Sequence, residues 1–367
     1  MKIALLSGAS SIHTIRWANG LAEAGHEVHV ISQQAQLEPM DSRVQVHCFP
    51  FRGVLGYFTM VPAVKKLLAK IKPDIVNAHY ASGYGTTARL VGYHPYLLSV
   101  WGADVYEFPN KSFMHYWLVK KNIMAANAVA STSHCMAEQT KNIAPKVGDI
   151  TITPFGVDMA SYEKSTSVVG NLIIGTVKSL DEQYGIDTLL QAFSLLYIKL
   201  KSTNKIFAEK IQLRLVGDGP QAEQLKRLAL ELNISNKVTF VGRVPHKQVA
   251  HELAKLNIYV ALSRWDAESF GVAIIEAGAA RRPVVVSDAG GLPEVTLDGV
   301  SGIVVPRENP QAAADAMEKL LLNPKLALQM GEAGRKHVEM NYSWSKSVEI
   351  MIKEYERIIS DFHIQQR

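Results

Sequence analysis

The stretch IYVALSRWDAESFGVAIIEAGAARRPVVVSD, residues 258–288, contains an apolar run, a helical pattern from about Phe270, and a second apolar run. Both runs, 258–263 and 283–288, are apolar at successive positions, which is typical of parallel strands buried on both faces. A strand, a helix and a strand in that order predict a βαβ unit with a right-handed crossover. The stretch therefore predicts an α/β fold built on a parallel sheet.

The same alternation of apolar runs and helical patterns fills the rest of the chain. Further apolar runs lie at 2–7, 27–32, 44–49, 74–79, 96–101, 128–132 and 149–154 in the first half, and at 171–177, 211–217, 237–242 and 302–306 in the second. Helical patterns such as 186–201 and 221–233 separate them. Repeated βαβ units of this kind predict doubly wound α/β domains.

The length of 367 residues suits two such domains better than one. The polar stretch 158–171 interrupts the alternation and is the predicted linker. We therefore predict two Rossmann-like doubly wound parallel-sheet domains, residues 1–165 and 166–344, and a last helix from about 345 that packs back on the first domain. Because ligands bind beyond the carboxyl ends of such strands, an interdomain cleft is the expected site.

The charge pattern argues against nucleic acid as a partner. The net charge is +5 and 20% of the residues are charged, which is too mild for a nucleic-acid surface. Most of the excess lies in residues 1–165, where the segments 64–72 and 118–122 predict basic helix faces. These faces are either solvated or in contact with an anionic membrane surface.

Nothing in the sequence predicts secretion or a membrane span. No run of about 18 apolar residues occurs, and the start MKIALLS is too short for a signal sequence. Cys48 and Cys135 lie far apart and lack disulfide or zinc spacing, which fits a reducing compartment. We expect a cytoplasmic protein whose only membrane contact is peripheral, at the inner membrane.

The loops after the first strands exclude two common nucleotide sites. The first loop is SGASSIH (7–13), which lacks G-x-G-x-x-G, and the second strand ends without an acidic residue. A P-loop is also absent from the sequence. The turn Gly8–Ser11 precedes a helix, so its N–H groups would bind an anion or a substrate hydroxyl. A plain tight turn is the alternative.

Two glutamates, Glu268 and Glu276, lie eight positions apart around the apolar run SFGVAII. Ser269 is the predicted N-cap of the helix between them, and Gly271 would let a ligand approach the backbone closely. One carboxylate would bind sugar hydroxyls and the other a ribose diol, beside free N–H groups at the helix start. The alternative is a solvated Glu268 and a structural Glu276.

The segment ESFGVAIIE (268–276) resembles the E-x7-E signature of the retaining GT-B glycosyltransferases of family 4, which use nucleotide-sugar donors. Other segments resemble that family in the same order and spacing. They are RWANGLAEAGHEVHVIS (16–32), LVGDGPQAEQL (215–225), VTFVGRVPHKQV (238–249), SDAGGLPEVTLDGVSGIVVP (287–306) and YSW (342–344). The resemblance covers nearly the whole chain, and it implies the two Rossmann-like domains of the GT-B fold.

The resemblance implies roles for individual residues at the donor. Glu268 would meet hydroxyls of the donor sugar and act in catalysis, while Glu276 would bind the ribose. Arg243 and Val244 would flank the base. Further donor-binding positions are Gly8, Ser269, Phe270 and Gly271.

The cations that would stabilise a leaving diphosphate depart from the family pattern. In GTVKSLDEQYGIDTLL (175–190), Lys178 stands where the family has an arginine, and Gln183 stands where it has a lysine. Glutamine donates hydrogen bonds but carries no charge. Arg264, in the loop beside the glutamate pair, is a candidate replacement for the second cation. A solvated Arg264 is the alternative.

A second departure lies in the first domain, where LLSVWGADVYEF (97–108) resembles the family segment HG-x-D. Trp101 stands in place of the histidine, either as a residue that stacks on a sugar or as a core aromatic. Asp104 matches the aspartate of the segment. His79, at a strand end facing the cleft, and His13, after the glycine loop, are further candidates for contact with the acceptor or the sugar. A structural role is the alternative for each histidine.

The resemblance implies transfer of a sugar, with retained configuration, to an acceptor hydroxyl of a glycan or a lipid-linked sugar in cell-envelope glycan, lipopolysaccharide or capsule biosynthesis. The leaving phosphate would assist the incoming hydroxyl on the same face, and domain closure would exclude water. We expect no metal, since no D-x-D lies in a suitable loop, and we favour UDP over GDP because nothing marks a guanine pocket. The alternatives are a nucleotide-sugar epimerase, a phosphorylase, or a non-catalytic paralogue that binds a partner.

Overall fold

The computed structural model describes residues 1–162 and 172–366. The chain divides into two compact units. The first unit comprises residues 1–154 together with 344–367, and the second comprises residues 155–343.

The first unit is built on a seven-stranded sheet in which all neighbouring strands are parallel. Its strands are β1 (Lys2–Leu6), β2 (Glu27–Ser32), β3 (Val44–Cys48), β4 (Ile75–His79), β5 (Tyr96–Val100), β6 (Ala128–Ser131) and β7 (Ile150–Ile152). Their order is β3-β2-β1-β4-β5-β6-β7, so the direction of winding reverses between β1 and β4. All seven predicted strands are confirmed. The central strands are buried on both faces as a parallel strand requires, whereas the edge strands β3 and β7 are only partly buried.

Helices cover both faces of this sheet. They are α1 (Ile12–Glu23), α2 (Gly53–Thr59), α3 (Val61–Ile71), α4 (Gly83–Val91), α5 (Ala103–Tyr106), α6 (Phe113–Ala125) and α7 (His134–Ile143), with a short 3-10 helix at Phe108–Lys111. Two apolar clusters lie against the sheet, one containing Leu6 and Leu98 and the other Leu5 and Leu97. Adjacent residues of one strand thus enter different clusters, as alternation along a strand dictates.

The second unit has a six-stranded parallel sheet. Its strands are β8 (Leu172–Val177), β9 (Ile211–Val216), β10 (Val238–Gly242), β11 (Ile258–Ala261), β12 (Val284–Ser287) and β13 (Gly302–Val305). Their order is β10-β9-β8-β11-β12-β13, so the winding reverses between β8 and β11. All six predicted strands are confirmed here as well.

The connections of the second unit are again mostly helical. They are α8 (Ile186–Thr203), α9 (Lys205–Lys210), α10 (Ala222–Glu231), α11 (Val249–Ala254), α12 (Val272–Ala279), α13 (Leu292–Val295), α14 (Pro310–Leu322) and α15 (Pro324–Asn341), with 3-10 helices at Met159–Tyr162, Glu182–Tyr184, Ser235–Lys237 and His246–Gln248. Phe193 of α8 is fully buried with Leu213 and Val260 in the main apolar cluster of this unit.

The last helix, α16 (Trp344–Gln365), belongs to the first unit. Its Trp344 ring lies 5.0 Å from the ring of Trp17 on α1. Its Tyr355 hydroxyl accepts a hydrogen bond of 2.7 Å from Asn77 of β4. No helix in the described ranges combines the length and the apolar character that a bilayer span requires.

The predicted boundary at residue 165 differs from the one in the structure. The second unit begins at Phe155, whose ring packs at 5.8 Å against Phe270 of the same unit, and Val157 pairs with Ser343. These long-range contacts were not evident in the sequence. The predicted linker, 158–171, lies partly outside the described residues.

Candidate active site

Loops that follow four strands of the second sheet are joined to one another by main-chain hydrogen bonds. The loops follow β8, β9, β11 and β12, which are neighbours around the point where the winding reverses. The bonds run from Leu180 N–H to the Asp218 carbonyl (3.0 Å), from Arg264 N–H to the Gln183 carbonyl (2.8 Å) and from Gly291 N–H to the Glu268 carbonyl (3.0 Å). Carboxyl ends of strands at such a switch point are the usual ligand site of a doubly wound sheet.

The motif GDGP positions the loop that carries Lys178. Gly217 has φ +143°, and a Cβ on it would overlap the carbonyl oxygen of Lys178. A Cβ on Gly219 would overlap the carbonyl of Leu180 in the same way. Only glycine allows the two loops to approach this closely, so these glycines fix the backbone from which the Lys178 side chain extends.

Lys178 and Glu268 form an ion pair at the centre of these loops. The Lys178 ammonium lies 2.9 Å from Oε2 and 3.0 Å from Oε1 of Glu268, and 4.2 Å from the ring centroid of Tyr184. Burial lowers the pKa of Lys178, but the charge of Glu268 and its hydrogen bond, together with the nearby Tyr184 and Tyr259 hydroxyls, raise the pKa above its usual value. The site therefore holds a permanently charged ammonium.

The backbone of Glu268 is held by the glycine pair that follows β12. Gly291 donates its N–H to the Glu268 carbonyl, and a Cβ on Gly291 would overlap the carbonyl of Ser269. A Cβ on Gly290, which has φ +49°, would likewise overlap the carbonyl oxygen of Glu268. The side chain of Glu268 is only 11% exposed. The solvated Glu268 of the alternative interpretation is therefore wrong.

Glu276 lies on α12, and its side chain is 10% exposed. Its Oε1 is 3.4 Å from Nε2 of His246, which belongs to the short helix after β10. Tyr259 of β11 is fully buried. The pKa of its hydroxyl is raised to about 12, mainly by burial. The positive charge of Lys178 lowers this pKa, and the negative charges of Glu276 and Glu268 raise it. The charges of the two glutamates and the lysine thus all influence one buried tyrosine.

The start of α12 differs from its prediction in a way that concerns Ser269, Phe270 and Gly271. Gly271, with φ +89°, is the N-cap, and the helix begins at Val272, so the prediction of Ser269 as N-cap is wrong. A Cβ on Gly271 would lie 2.8 Å from Leu292. The left-handed φ and this close packing by themselves require glycine at this position. Phe270 is buried and packs on Phe155.

Arg264 is neither solvated nor aimed at the Lys178–Glu268 pair. Its Nη2 lies 2.5 Å from a carboxylate oxygen of Asp187, and its Nε lies 3.3 Å from Glu308. Its side chain is 15% exposed. Gln183, whose carbonyl accepts from the Arg264 N–H, is half-buried in the loop that also carries Lys178. The charge of Arg264 is thus already matched by two carboxylates.

Arg243 and Val244 follow β10, where the resemblance places the base. Arg243 is exposed and Val244 is half-buried. Two residues further on, His246 makes the contact with Glu276. The segment predicted to flank the base and the glutamate predicted to bind the ribose are therefore directly linked.

In the first unit, His79 lies in a buried polar cluster rather than at a surface. It is 1% exposed, and its Nδ1 is 2.8 Å from the Ser7 hydroxyl, which in turn is 2.6 Å from the hydroxyl of Thr14. Burial, and to a smaller extent the charge of His13, lower the pKa of His79 to about 3, so the ring is neutral. The prediction that His79 faces a ligand is wrong, because the ends of β1 and β4 and the start of α1 enclose it.

Trp101 lies against the two predicted histidines. Its ring centroid is 4.1 Å from that of His79 and 5.9 Å from that of His13, and Tyr80 packs against it at 5.2 Å. The indole is half-buried. It is therefore part of an aromatic cluster and at the same time reaches the surface.

Asp104 holds the loops after β4 and β5 together. It is buried, and it accepts hydrogen bonds from the N–H groups of Ala81 (2.6 Å), Gly102 (2.9 Å) and Trp101 (3.2 Å). Burial raises its pKa, and these N–H donors oppose the rise. Its observed contacts fix the backbone of Trp101.

The Gly8–Ser11 loop forms a hydrogen-bonded turn before α1. Ser11 N–H donates to the Gly8 carbonyl at 3.0 Å, and Ala9 N–H donates to the Ser32 hydroxyl at 2.9 Å. The Cβ position of Gly8 lies 3.1 Å from the side chain of Gln34. Two of the N–H groups in the loop are thus engaged within the protein.

Sequence reasoning did not single out Tyr184, Tyr259 or His246. Tyr184 follows Lys178 by six residues, and only the short helix Glu182–Tyr184 returns its ring to the ammonium. Tyr259 fits the apolar pattern of the strand 258–263, so its hydroxyl attracts no notice in the sequence. His246 lies in the segment 238–249, in which the family resemblance points only to Arg243 and Val244. In the described ranges 1–162 and 172–366, no group of three histidine, cysteine or acidic side chains is arranged to hold a metal ion.

Comparison with known proteins identifies the family. Residues 160–337 match the model described as glycosyl transferases group 1, and residues 2–133 match the one described as glycosyl transferase 4-like. The two models together span most of the chain. The chain therefore belongs to the glycosyltransferases of this group, as the E-x7-E resemblance implied.

Individual relatives agree over nearly the full length. N-acetyl-alpha-D-glucosaminyl L-malate synthase of Bacillus anthracis is 25% identical over 377 residues, covering 96% of this chain and 94% of that protein. Sucrose-phosphate synthase from Thermosynechococcus elongatus superposes with a TM-score of 0.83 at 20% identity, over 98% of this chain and 100% of that chain. Anabaena HepE in complex with UDP superposes with a TM-score of 0.79 at 15% identity, over 97% of this chain and 99% of that chain. The predicted GT-B fold, with two parallel-sheet α/β domains, is confirmed.

Proposed function

We propose that this protein is a retaining glycosyltransferase that transfers a sugar from a UDP-sugar to an acceptor hydroxyl without a metal ion. The observation that carries the proposal is the mostly buried Lys178–Glu268 ion pair, with Glu276 eight residues further along and acting, like both members of the pair, on the pKa of Tyr259. A fixed cation beside a fixed carboxylate is the combination that a sugar diphosphate requires. Membership of the glycosyltransferase family supports the assignment.

Each charged group has a distinct task in this proposal. Glu268 accepts hydrogen bonds from hydroxyls of the donor sugar. Lys178 stabilises the negative charge that grows on the departing diphosphate. Glu276 binds the ribose hydroxyls, and Arg243 and Val244 flank the base. Ser269, Phe270, Gly271 and Gly8 remain donor-binding proposals through their main chain.

The reaction exchanges one bond at the anomeric carbon for another. The bond from this carbon to the β-phosphate oxygen breaks, and the bond to the acceptor oxygen forms on the same face. The acceptor proton passes to the departing phosphate, so configuration is retained without an enzyme nucleophile. Catalysis then depends on positioning and on electrostatic stabilisation.

In the first unit Trp101 is proposed to stack on a sugar, with Asp104, His79 and His13 supporting its position.

Lys178 is the one lysine or arginine that we assign to the diphosphate. Gln183 supplies a neutral donor in place of a second cation, and Arg264 is already paired with Asp187 and Glu308. A single ammonium in a site of low polarity still stabilises developing charge strongly.

The proposed acceptor is a cell-envelope, lipopolysaccharide or capsule glycan. The UDP complex of Anabaena HepE, a protein of the same fold, supports UDP as the nucleotide.

The proposal is tested by turnover of candidate donors in the presence of EDTA. UDP-glucose, UDP-galactose, UDP-N-acetylglucosamine and GDP-mannose are each incubated, with a cell-envelope glycan fraction as acceptor, with wild type and with Glu268→Gln, and proton NMR follows the anomeric signals. We expect release of UDP and an α-anomeric product from one donor, and loss of both in Glu268→Gln. Conversion of the sugar without nucleotide release would instead identify an epimerase. Phosphate-dependent release of sugar phosphate would identify a phosphorylase. A donor that binds without turnover would identify a non-catalytic paralogue.

A matched variant controls for general damage to the fold. Glu223→Gln removes a carboxylate of the same unit that pairs with Lys226 at 2.7 Å on the surface. We expect this variant to turn over at the wild-type rate. Equal loss of turnover in Glu223→Gln and Glu268→Gln would contradict the assigned role of Glu268.

A further inference from the structure

Large apolar side chains are exposed on one part of the first unit. Val54 and Leu55 of α2 are 73% and 74% exposed, and Phe113 and Met114 at the start of α6 are 79% and 78% exposed. Trp117, one turn further along α6, is 49% exposed. We call Phe113, Met114 and Trp117, together with Phe58 of α2, the apolar surface, because these four residues line one hollow. Soluble surfaces rarely hold such a cluster without a partner.

The two helices contribute to one hollow. Phe58 of α2 and Phe113, Met114 and Trp117 of α6 line a cavity of about 540 Å³ that is open to solvent. On the opposite face of α6, Val119, Asn122 and Ile123 are buried in the unit. Helix α6 therefore buries residues of its second half in the unit, whereas the apolar side chains at its start remain exposed.

Basic side chains lie beside the apolar surface. Helices α2 and α6 contain Lys120 and Lys121 but no aspartate or glutamate. Lys121 lies 5.4 Å from the ring centroid of Trp117, and Arg89 lines the hollow. The apolar surface thus has positive charge beside it, although the whole chain carries only +5.

The charge selects among the partners that would cover this surface. A second copy of the chain, placed face to face, would bring one cationic rim against another, and the repulsion disfavours self-association. A bilayer with anionic headgroups offers an apolar layer for Phe113 and Met114 and negative charge for the lysines. Aromatic and basic side chains at the margin of an apolar patch are typical of membrane interfaces.

We propose that the apolar surface of α2 and α6 docks on an anionic lipid bilayer. Phe113, Met114 and Trp117 enter the region between headgroups and acyl chains, and Lys120 and Lys121 contact the headgroups. No step of this proposal depends on the transferase chemistry, since every residue lies outside the candidate active site. Docking would bring the first unit to a lipid-linked acceptor.

Vesicle flotation of the full chain tests the proposal. Wild type is mixed at physiological salt with vesicles of phosphatidylcholine alone or of phosphatidylcholine with phosphatidylglycerol. We expect binding to the anionic vesicles only, with a blue shift in tryptophan fluorescence that Trp117→Phe reduces. Phe113→Ser/Met114→Ser and Lys120→Glu/Lys121→Glu should each weaken binding by about tenfold or more.

The matched control is Ile206→Ser/Leu328→Ser, which removes two exposed apolar residues, 66% and 65% exposed, from the second unit. This variant should float with anionic vesicles as wild type does, and donor turnover should be unchanged in all of these variants. The proposal is overturned if wild type does not bind anionic vesicles, or if the control variant loses as much binding as Phe113→Ser/Met114→Ser. A concentration-dependent dimer that only the α6 variant abolishes, without vesicle binding, would assign the surface to a second copy instead.

Discussion

Lys178 and Glu268 lie 90 positions apart in the chain, and their charged groups meet at 2.9 Å. The contact joins the loop after β8 to the loop after β11, which are neighbouring strands where the winding reverses. Each loop is fixed by glycines of another loop, Gly217 for Lys178 and Gly291 for Glu268. The ion pair is therefore a product of the parallel topology and of these close glycine contacts.

Replacing Glu268 with glutamine should impair both activity and stability. The change leaves the mostly buried Lys178 without its counter-ion, which we expect to cost about 3 kcal/mol of unfolding free energy. Turnover of the donor should fall by about 100-fold because a group that positions the sugar is lost. Urea unfolding and a transferase assay measure the two effects. Glu223→Gln, in an exposed pair, should change the unfolding free energy by less than about 0.5 kcal/mol.

Replacing Gly217 with alanine should displace the Lys178 loop. The new Cβ would overlap the Lys178 carbonyl, and φ +143° is unfavourable for an L side chain. We expect a loss of about 3 kcal/mol or more in unfolding free energy, together with weaker nucleotide binding. Gly299→Ala is the control, because Gly299 has φ +72° but no atom within 4 Å of its Cβ position. It should cost only about 1–2 kcal/mol, and equal losses in the two variants would refute the packing role of Gly217.

Converting Gln183 to lysine should strengthen nucleotide binding. The new ammonium would join Lys178 in the same loop, where the family resemblance expects a second cation. We predict an increase in UDP affinity of up to about tenfold, reduced by salt. Gln329→Lys adds the same charge at an exposed position of α15 and should change affinity little. If both variants bind UDP with the same affinity, Gln183 does not adjoin the diphosphate.

The buried His79 should make stability depend on pH. Its pKa is lowered to about 3 in the folded state, against 6.5 for an ordinary histidine. The folded state thus favours the neutral ring, and its contribution is complete above about pH 6.5 and declines as the pH falls toward 3. Between pH 6.5 and 5, wild type should lose about 2 kcal/mol more than His79→Asn. Urea unfolding at the two pH values measures this difference. A His251→Asn control at an exposed position should follow wild type, and a parallel pH dependence in His79→Asn would contradict the assignment.

Most of the fold was predictable from the sequence because parallel strands buried on both faces leave continuous apolar runs. All thirteen predicted strands are present, and the winding order follows from successive βαβ units. Local patterns were less reliable where one backbone angle decides the outcome. Serine is a preferred N-cap residue, which is why Ser269 was predicted. In the structure Gly271, with its left-handed φ, is the N-cap, and α12 begins at Val272.

The sequence predicted which charged residues form the candidate site, but only some of the contacts that these residues make. Glu268, Glu276 and Lys178 were named from motif resemblance, whereas their common neighbour Tyr259 was not. Side-chain contacts between distant segments depend on loop packing, which no local pattern specifies. The same reason explains why the burial of His79 beneath Trp101 was missed.

The central claim is a nucleotide-sugar site beside Glu276, and calorimetric titration of UDP in the presence of EDTA tests it most directly. Wild type, Glu276→Ala and the exposed control Glu231→Ala are titrated with UDP, and wild type also with GDP and ADP. We predict micromolar UDP binding without metal, weakened by tenfold or more in Glu276→Ala, about 1.4 kcal/mol, and unchanged in Glu231→Ala. Equal affinity of UDP for wild type and Glu276→Ala, or no binding of any nucleotide to wild type, would contradict the account.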